Sequence, residues 1–252
     1  MGHIEQRTTG RGRVYIYTDD DGNETKVPSV TTILGALPKG GLEYWGAKLG
    51  LGYAAAVGVQ QGSDLEEIYA VYKTTDFSPY KALKAAGNRG TDVHNVAEVL
   101  LRDGVLPDLP TGTKAGEGYI DALVKWHSEF DVASWETIAV EARLFSTEHL
   151  YAGTTDFICL RPDGVYVVGD FKTSKAVYES HLIQTAAYGH AAKEVGLIPA
   201  DAEVEQQVVR LGDDGECEVY KSVHTIEDFL TVLRVFHLLK DKTKKGVKLD
   251  AS

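Results

Sequence analysis

Apolar and polar residues alternate with a period of two in RVYIYT, residues 13–18, and the run ends in the turn formers Asp19-Asp20-Asp21-Gly22-Asn23. This predicts a strand and a turn, with Lys26-Val27 beginning the return strand of an N-terminal hairpin. Ser29 is placed to cap a short helix over Val30–Leu34. Helical spacing then takes over. It predicts helices at Leu42–Val57, Asp64–Tyr72, Pro79–Ala86, Gly90–Leu101 and Lys114–Phe130. Gly90-Thr91 reads as the cap of the helix that carries His94. Near residue 135 the period returns to two. Trp135–Phe145 alternates, and Phe157–Leu160 and Val165–Val168 flank Pro162-Asp163-Gly164. A helix at Ser180–Val195, strands at Glu203–Leu211 and Glu216–Val223, and a helix at Ile226–Leu239 complete the chain. Helices first, then β-β-β-α-β-β-α, predict an α/β fold with an N-terminal helical part.

The Pro-Asp-Gly turn fixes more than a hairpin. Pro presets φ and Gly completes the turn, so the loop centres on Asp163. Asp156 and Asp170 are each seven residues from that centre, which places the two carboxylates opposite each other. Lys172 shares Asp170's face, roughly 6–7 Å along the strand. Two acids and a lysine on one face form a candidate divalent-metal site. Oxygen ligands suit Mg²⁺ or Mn²⁺. Such a metal can activate water and stabilise charge on a phosphate, while a lysine orients or deprotonates the water.

The motifs Gly153-Thr154-Thr155-Asp156, Gly169-Asp170-Phe171-Lys172-Thr173-Ser174-Lys175 and HLIQTAAYGHA, with Gln184 and Tyr188, resemble the PD-(D/E)XK nuclease superfamily. The resemblance is to its RecB-like exonuclease branch. Arg89-Gly90-Thr91-Asp92-Val93-His94 fits that branch's upstream helix. Pro28–Leu34 is similar to an N-terminal segment of phage-type members and of the mitochondrial genome-maintenance exonuclease. The resemblance implies a restriction-endonuclease-like core, a central mixed β-sheet flanked by helices. It implies that Asp156, Asp170 and His94 bind metal, with the Phe171 carbonyl as a further ligand, and that Lys172 is the catalytic lysine. Gln184 would hold the lysine or the attacking water. Tyr188 would support that helix face or touch substrate. Glu141, in VEARLF, matches an acidic position found ahead of the Asp. Some members carry an iron–sulfur cluster on four cysteines. This chain has only Cys159 and Cys217, so no such cluster is expected.

Composition changes the picture in two places. At 252 residues, 43% apolar, the chain can bury a core as one nuclease domain (1–252). Within it, 28–130 reads as mostly helical, 135–239 as the α/β catalytic core, and 240–252 as a basic tail. Two cysteines point to a reducing compartment. MGHIEQRTTGRGR has no apolar core and no apolar run reaches membrane-spanning length, so a cytoplasmic protein without a membrane partner is expected. The net charge of −11 is unusual for a nucleic-acid binder. Basic residues at Arg11, Arg13, Lys81, Lys84, Arg89 and in the tail, together with Thr173, Ser174 and Lys175, are the candidate contacts to DNA. Trp45, Tyr53 and Tyr72 read as core packing rather than base-stacking platforms. His3, His127, His149, His181, His190, His224 and His237 form no pair at metal-ligand spacing.

The expected function is a Mg²⁺- or Mn²⁺-dependent DNA exonuclease of phage or bacterial replication, recombination or repair. A recombination or replication protein is among the expected partners. The rivals are an endonuclease on the same core, a nucleic-acid-binding module without chemistry, and an enzyme acting on a small phosphoester.

Overall fold

The computed structural model describes residues 2–9, 12–38, 41–107 and 116–241. The basic run at 242–252, Arg11 and the expected helix start at Lys114 lie outside them, as does the Arg13 side chain. The chain opens with a three-stranded antiparallel sheet: β1 (His3–Thr9), β2 (Gly12–Thr18) and β3 (Glu24–Val27). Strands β2 and β3 are the expected hairpin. Asp19 holds their turn by accepting from the N–H groups of Asp21 and Asn23 at 3.0 and 2.8 Å. Strand β1 was not expected. Residues 3–9 lack alternation, and the strand forms by backbone pairing to β2. The helical stretch thus begins only after a sheet of three strands, one more than the expected hairpin.

The helices α1 (Val30–Leu34), α2 (Leu42–Val57), α3 (Leu65–Tyr72), α4 (Pro79–Asp103) and α5 (Glu117–Glu129) follow. Ser29 caps α1 through its hydroxyl, which accepts from the Thr32 N–H at 3.1 Å. Helix α1 packs into the main core through Val30, Ile33 and Leu34. Helix α4 replaces the two separate helices predicted at Pro79–Ala86 and Gly90–Leu101. Each interior glycine costs about 1 kcal/mol against alanine. Burial of Val93, Val96, Ala97, Leu100 and Leu101 offsets that cost and carries the helix through Gly87 and Gly90. Gly90-Thr91 is therefore helix interior, not a cap.

The main sheet has five strands in the order β4 (Glu136–Ser146), β5 (Tyr151–Leu160), β6 (Tyr166–Lys172), β7 (Val204–Leu211), β8 (Cys217–Lys221). Neighbours are antiparallel except β6 and β7, which are parallel and joined through α6 (Glu179–Glu194). Helix α7 (Ile226–Lys240) closes the described chain. The fold is thus α/β, with a mixed sheet flanked by helices. On one face Leu144, Tyr151, Ile158 and Val168 pack against α1, α6 and α7. On the other Phe157, Cys159, Val167, Phe171 and Val209 pack against α4 and α5. The alternation 157/158/159 and 167/168 sends successive side chains to opposite layers. No described helix is long and apolar enough to cross a membrane.

Candidate metal centre

Strands β5 and β6 pair from Leu160↔Tyr166 to Phe157↔Gly169, so their register is centred on Asp163. The ladder ends one step short of Asp156 and Asp170, which the same register carries towards each other. Two further contacts tie the strands there. Thr155 Oγ1 donates to the Gly169 carbonyl at 2.9 Å, and the Phe171 N–H donates to Asp156 Oδ2 at 2.6 Å. Helix α4 brings His94 Nδ1 to 3.0 Å from Asp156 Oδ1. Strand β4 brings Glu141, which sits between the pairs Val140↔Phe157 and Ala142↔Thr155. Its φ of 48° is left-handed, a conformation that costs a non-glycine residue of order 1–3 kcal/mol. Donor atoms of His94, Glu141 and Asp156 all lie within 4.8 Å of one another. These residues, with Asp170, Lys172, Gln184 and Tyr188, wall a cavity of about 750 Å³.

Lys172 Nζ forms an ion pair with Asp170 Oδ2, as its position on the same strand face requires. Gln184, on α6, does not reach towards Lys172. Its Nε2 donates to Asp170 Oδ1 at 2.7 Å and to the Tyr188 hydroxyl at 2.9 Å. The structure thus shows Gln184 holding the carboxylate. Tyr188 is the neighbour one turn along that helps hold Gln184. Burial, then the charges of Asp170 and Asp156, push the Tyr188 hydroxyl well above its ordinary pKa, so it remains a phenol.

Electrostatics favour a cation here. Burial raises the pKa of Asp170; the Lys172 ammonium opposes this and the Asp156 charge adds to it. For His94, burial pulls the pKa down, but the Asp156 carboxylate pushes it up to about 9. The negative field that holds a proton on the imidazole is the field that a divalent ion would answer by displacing that proton. Asp170 Oδ2 is buried against the Lys172 ammonium, so an ion bound there would share that oxygen with the lysine. Carboxylates with one imidazole form a donor set that can hold a divalent metal ion.

Several expected contacts lie elsewhere. Thr173, Ser174, Lys175, Arg89 and Phe171 do not wall the cavity. The Ser174 hydroxyl donates to the Ala176 carbonyl at 2.7 Å, so its only proton is used inside the loop. The Lys175 carbonyl accepts from Arg210 Nε at 3.2 Å. Phe171 meets the centre through its N–H, and its ring is core. Conversely, Tyr15, Ser29, Thr31, Thr32, Asn95 and Glu98 line the cavity. Glu98 is one helical turn beyond His94, a signal available in the sequence. Tyr15 reaches the site because its sheet packs on Phe145 and Ala152, and its hydroxyl lies 3.3 Å from Thr154 Oγ1.

His181 in the first turn of α6 gives a pH prediction. Its Nδ1 accepts from the Tyr178 N–H at 3.3 Å. Burial, with the nearby Lys172 charge, lowers its pKa from 6.5 to about 4. The unfolded chain therefore binds more protons between these values. The stability this residue contributes is complete above pH 6.5 and is lost as pH falls through 4. In His181→Asn, whose Oδ1 can replace Nδ1 as acceptor, the fall in urea midpoint from pH 7 to pH 4 should be shallower than in the wild type. Parallel curves for the two proteins would remove His181 from the acid response.

Neither a family model nor a curated protein matches the chain. Among solved structures, one described as the crystal structure of SSO0001 is similar over 60% of this chain and 75% of its own, at 16% identity and a TM-score of 0.31.

Proposed function

We propose that this protein is a Mg²⁺- or Mn²⁺-dependent DNA exonuclease with a PD-(D/E)XK-type core of the RecB-like branch. The observation that carries the reading is the convergence of His94, Glu141 and Asp156 beside the Asp170–Lys172 pair in one polar cavity. The acids on adjacent strands β5 and β6, with α6 following β6, support the fold part of the proposal.

His94, Glu141, Asp156 and Asp170 would hold the ion. When bound, the ion supplies Lewis-acid charge to a phosphate oxygen and lowers the pKa of water. Gln184 fixes Asp170 through Oδ1, leaving Oδ2 directed at Lys172. Lys172 Nζ orients the attacking water and offsets charge on the phosphate. In the reaction a water oxygen bonds to phosphorus, the bond to the leaving deoxyribose oxygen breaks, and a proton ends on that oxygen. Gly87 and Gly90 present a helix face without side chains to the cavity, so a strand backbone can approach closely.

The test is cleavage of end-labelled single-stranded and duplex DNA beside a closed circle, with Mg²⁺, Mn²⁺ or EDTA. The expected result is metal-dependent loss of linear DNA with the circle spared. Cutting of the circle would establish the endonuclease instead. Binding without cleavage under every condition would establish the silent binding module.

A further inference from the structure

A second cluster of donors stands at the turn between β4 and β5. Glu148 and His149 come from that turn, and His190 and Glu194 come from α6, one helical turn apart. Donor atoms of Glu148, His149 and His190 lie within 4.8 Å of one another. His149 Nε2 is 3.7 Å from Glu148 Oε1, and His190 Nε2 is 3.6 Å from Glu194 Oε2. The imidazole rings are 5.3 Å apart between centroids. Ligands at about 2.0–2.1 Å around a tetrahedral ion stand roughly 3.3 Å from one another. The 3.6 and 3.7 Å pairs are near that spacing, and the other donors, up to 4.8 Å apart among Glu148, His149 and His190, would close on an ion by side-chain rotation.

A separate observation points the same way. His190 Nε2 and Glu194 Oε2 are both buried, and neither has a hydrogen-bond partner. The other Glu194 oxygen is held by the Glu148 N–H at 3.2 Å, with the Thr147 hydroxyl at 3.5 Å. Glu194 is therefore positioned with one oxygen satisfied and the other aimed at an imidazole nitrogen. A lone pair facing a carboxylate oxygen is unfavourable unless a cation lies between them. A proton or a metal ion can fill that place, and the two donor atoms stand 3.6 Å apart.

We propose that Glu148, His149, His190 and Glu194 bind a structural Zn²⁺ that ties the β4–β5 turn to α6. Two imidazoles with two carboxylates suit Zn²⁺ better than Mg²⁺, which prefers oxygen ligands and retained water. Four protein ligands leave no open position, as in structural rather than catalytic zinc sites. The cluster shares no residue with the His94 centre, and its assignment does not depend on the nuclease reading.

The experiment measures zinc in protein loaded with one equivalent and dialysed against excess Mg²⁺. It compares the wild type with His149→Ala, His190→Ala, Glu148→Gln and His94→Ala. Wild type and His94→Ala are expected to keep one equivalent. His149→Ala and His190→Ala should lose it while their circular dichroism remains that of the wild type. With Co²⁺ in place of zinc, the visible bands of a tetrahedral site should appear in the wild type and vanish in His190→Ala. The Glu148 side chain is 67% exposed, so Glu148→Gln tests the site even if the histidine variants fail to fold. Its zinc affinity should fall at least roughly tenfold, the smallest loss expected even for an outer-sphere partner. The proposal is overturned if the wild type holds no zinc, if folded His149→Ala and His190→Ala both retain it, if zinc is lost from His94→Ala instead, or if Glu148→Gln binds zinc as the wild type does.

Discussion

Lys172→Met is expected to lower metal-dependent DNA cleavage by about 10²–10⁴-fold while the protein still responds to Mg²⁺. Lys172 Nζ is the cation paired with buried Asp170, and it holds none of the proposed ligand bonds. Removing it leaves Asp156, Asp170 and Glu141 to face one another with less compensation. The metal-free variant should therefore unfold more readily, and the rise in its melting temperature on adding Mg²⁺ should be equal to or larger than that of the wild type. Asp170→Asn should behave differently. The amide can still accept from Gln184 Nε2 through Oδ1, so the fold is kept, but the charge that attracts both Lys172 and an ion is gone. Cleavage and the Mg²⁺-dependent rise should then be lost together. Thermal unfolding with and without Mg²⁺, run beside the cleavage assay on both variants, separates holding the ion from acting on the water. Wild-type cleavage by either variant would dismiss the proposed roles. Loss of the Mg²⁺ response in Lys172→Met would make the lysine part of ion binding instead.

The features that were legible in the sequence are those set by local chemistry. The register of β5 and β6 follows from Pro162-Asp163-Gly164 alone, because a two-residue side-chain period leaves no freedom once the turn is centred. From that register came the placement of Asp156 opposite Asp170 and of Lys172 on Asp170's face. The features that were not legible depend on partners distant in the chain. Nothing in residues 3–9 announces a strand, since β1 exists by lending backbone groups to β2. The glycines of α4 look like a break until the packing of the following two turns on the sheet is known. His149 and His190 showed no ligand spacing because they are 41 residues apart and meet only when α6 lies back along the β4–β5 hairpin. Gln184 was expected at the lysine or the water. Its contact with Asp170 depends on how α6 rotates against the sheet, which sequence order does not fix.

Gly169→Ala carries the largest expected effect on stability, because the space beside Gly169 is already filled by a ring. A methyl group there would lie 1.9 Å from Phe157 Cζ, with two other ring atoms at 2.3 and 2.4 Å. Phe157 is the cross-strand partner of Gly169, and its ring lies over the glycine in the layer facing α5. It cannot easily turn aside. Its centroid is 5.3 Å from Trp126 and 5.1 Å from Phe171, and all three side chains are buried. The substitution must therefore move the ring cluster or separate β5 from β6. Overpacking of this kind costs about 3 kcal/mol or more, to be read as a lower urea midpoint at unchanged slope. Separation of the strands would also disturb the Phe171 N–H bond to Asp156, two residues along. Phe157→Leu gives the space back. In the Gly169→Ala background it should restore part of the lost stability, although alone it opens a cavity beside Trp126. The double variant should then be more stable than the sum of the single losses by roughly 0.5–3 kcal/mol. Strict additivity, or wild-type stability in Gly169→Ala, would mean that the ring over the glycine does not set the packing of this strand pair.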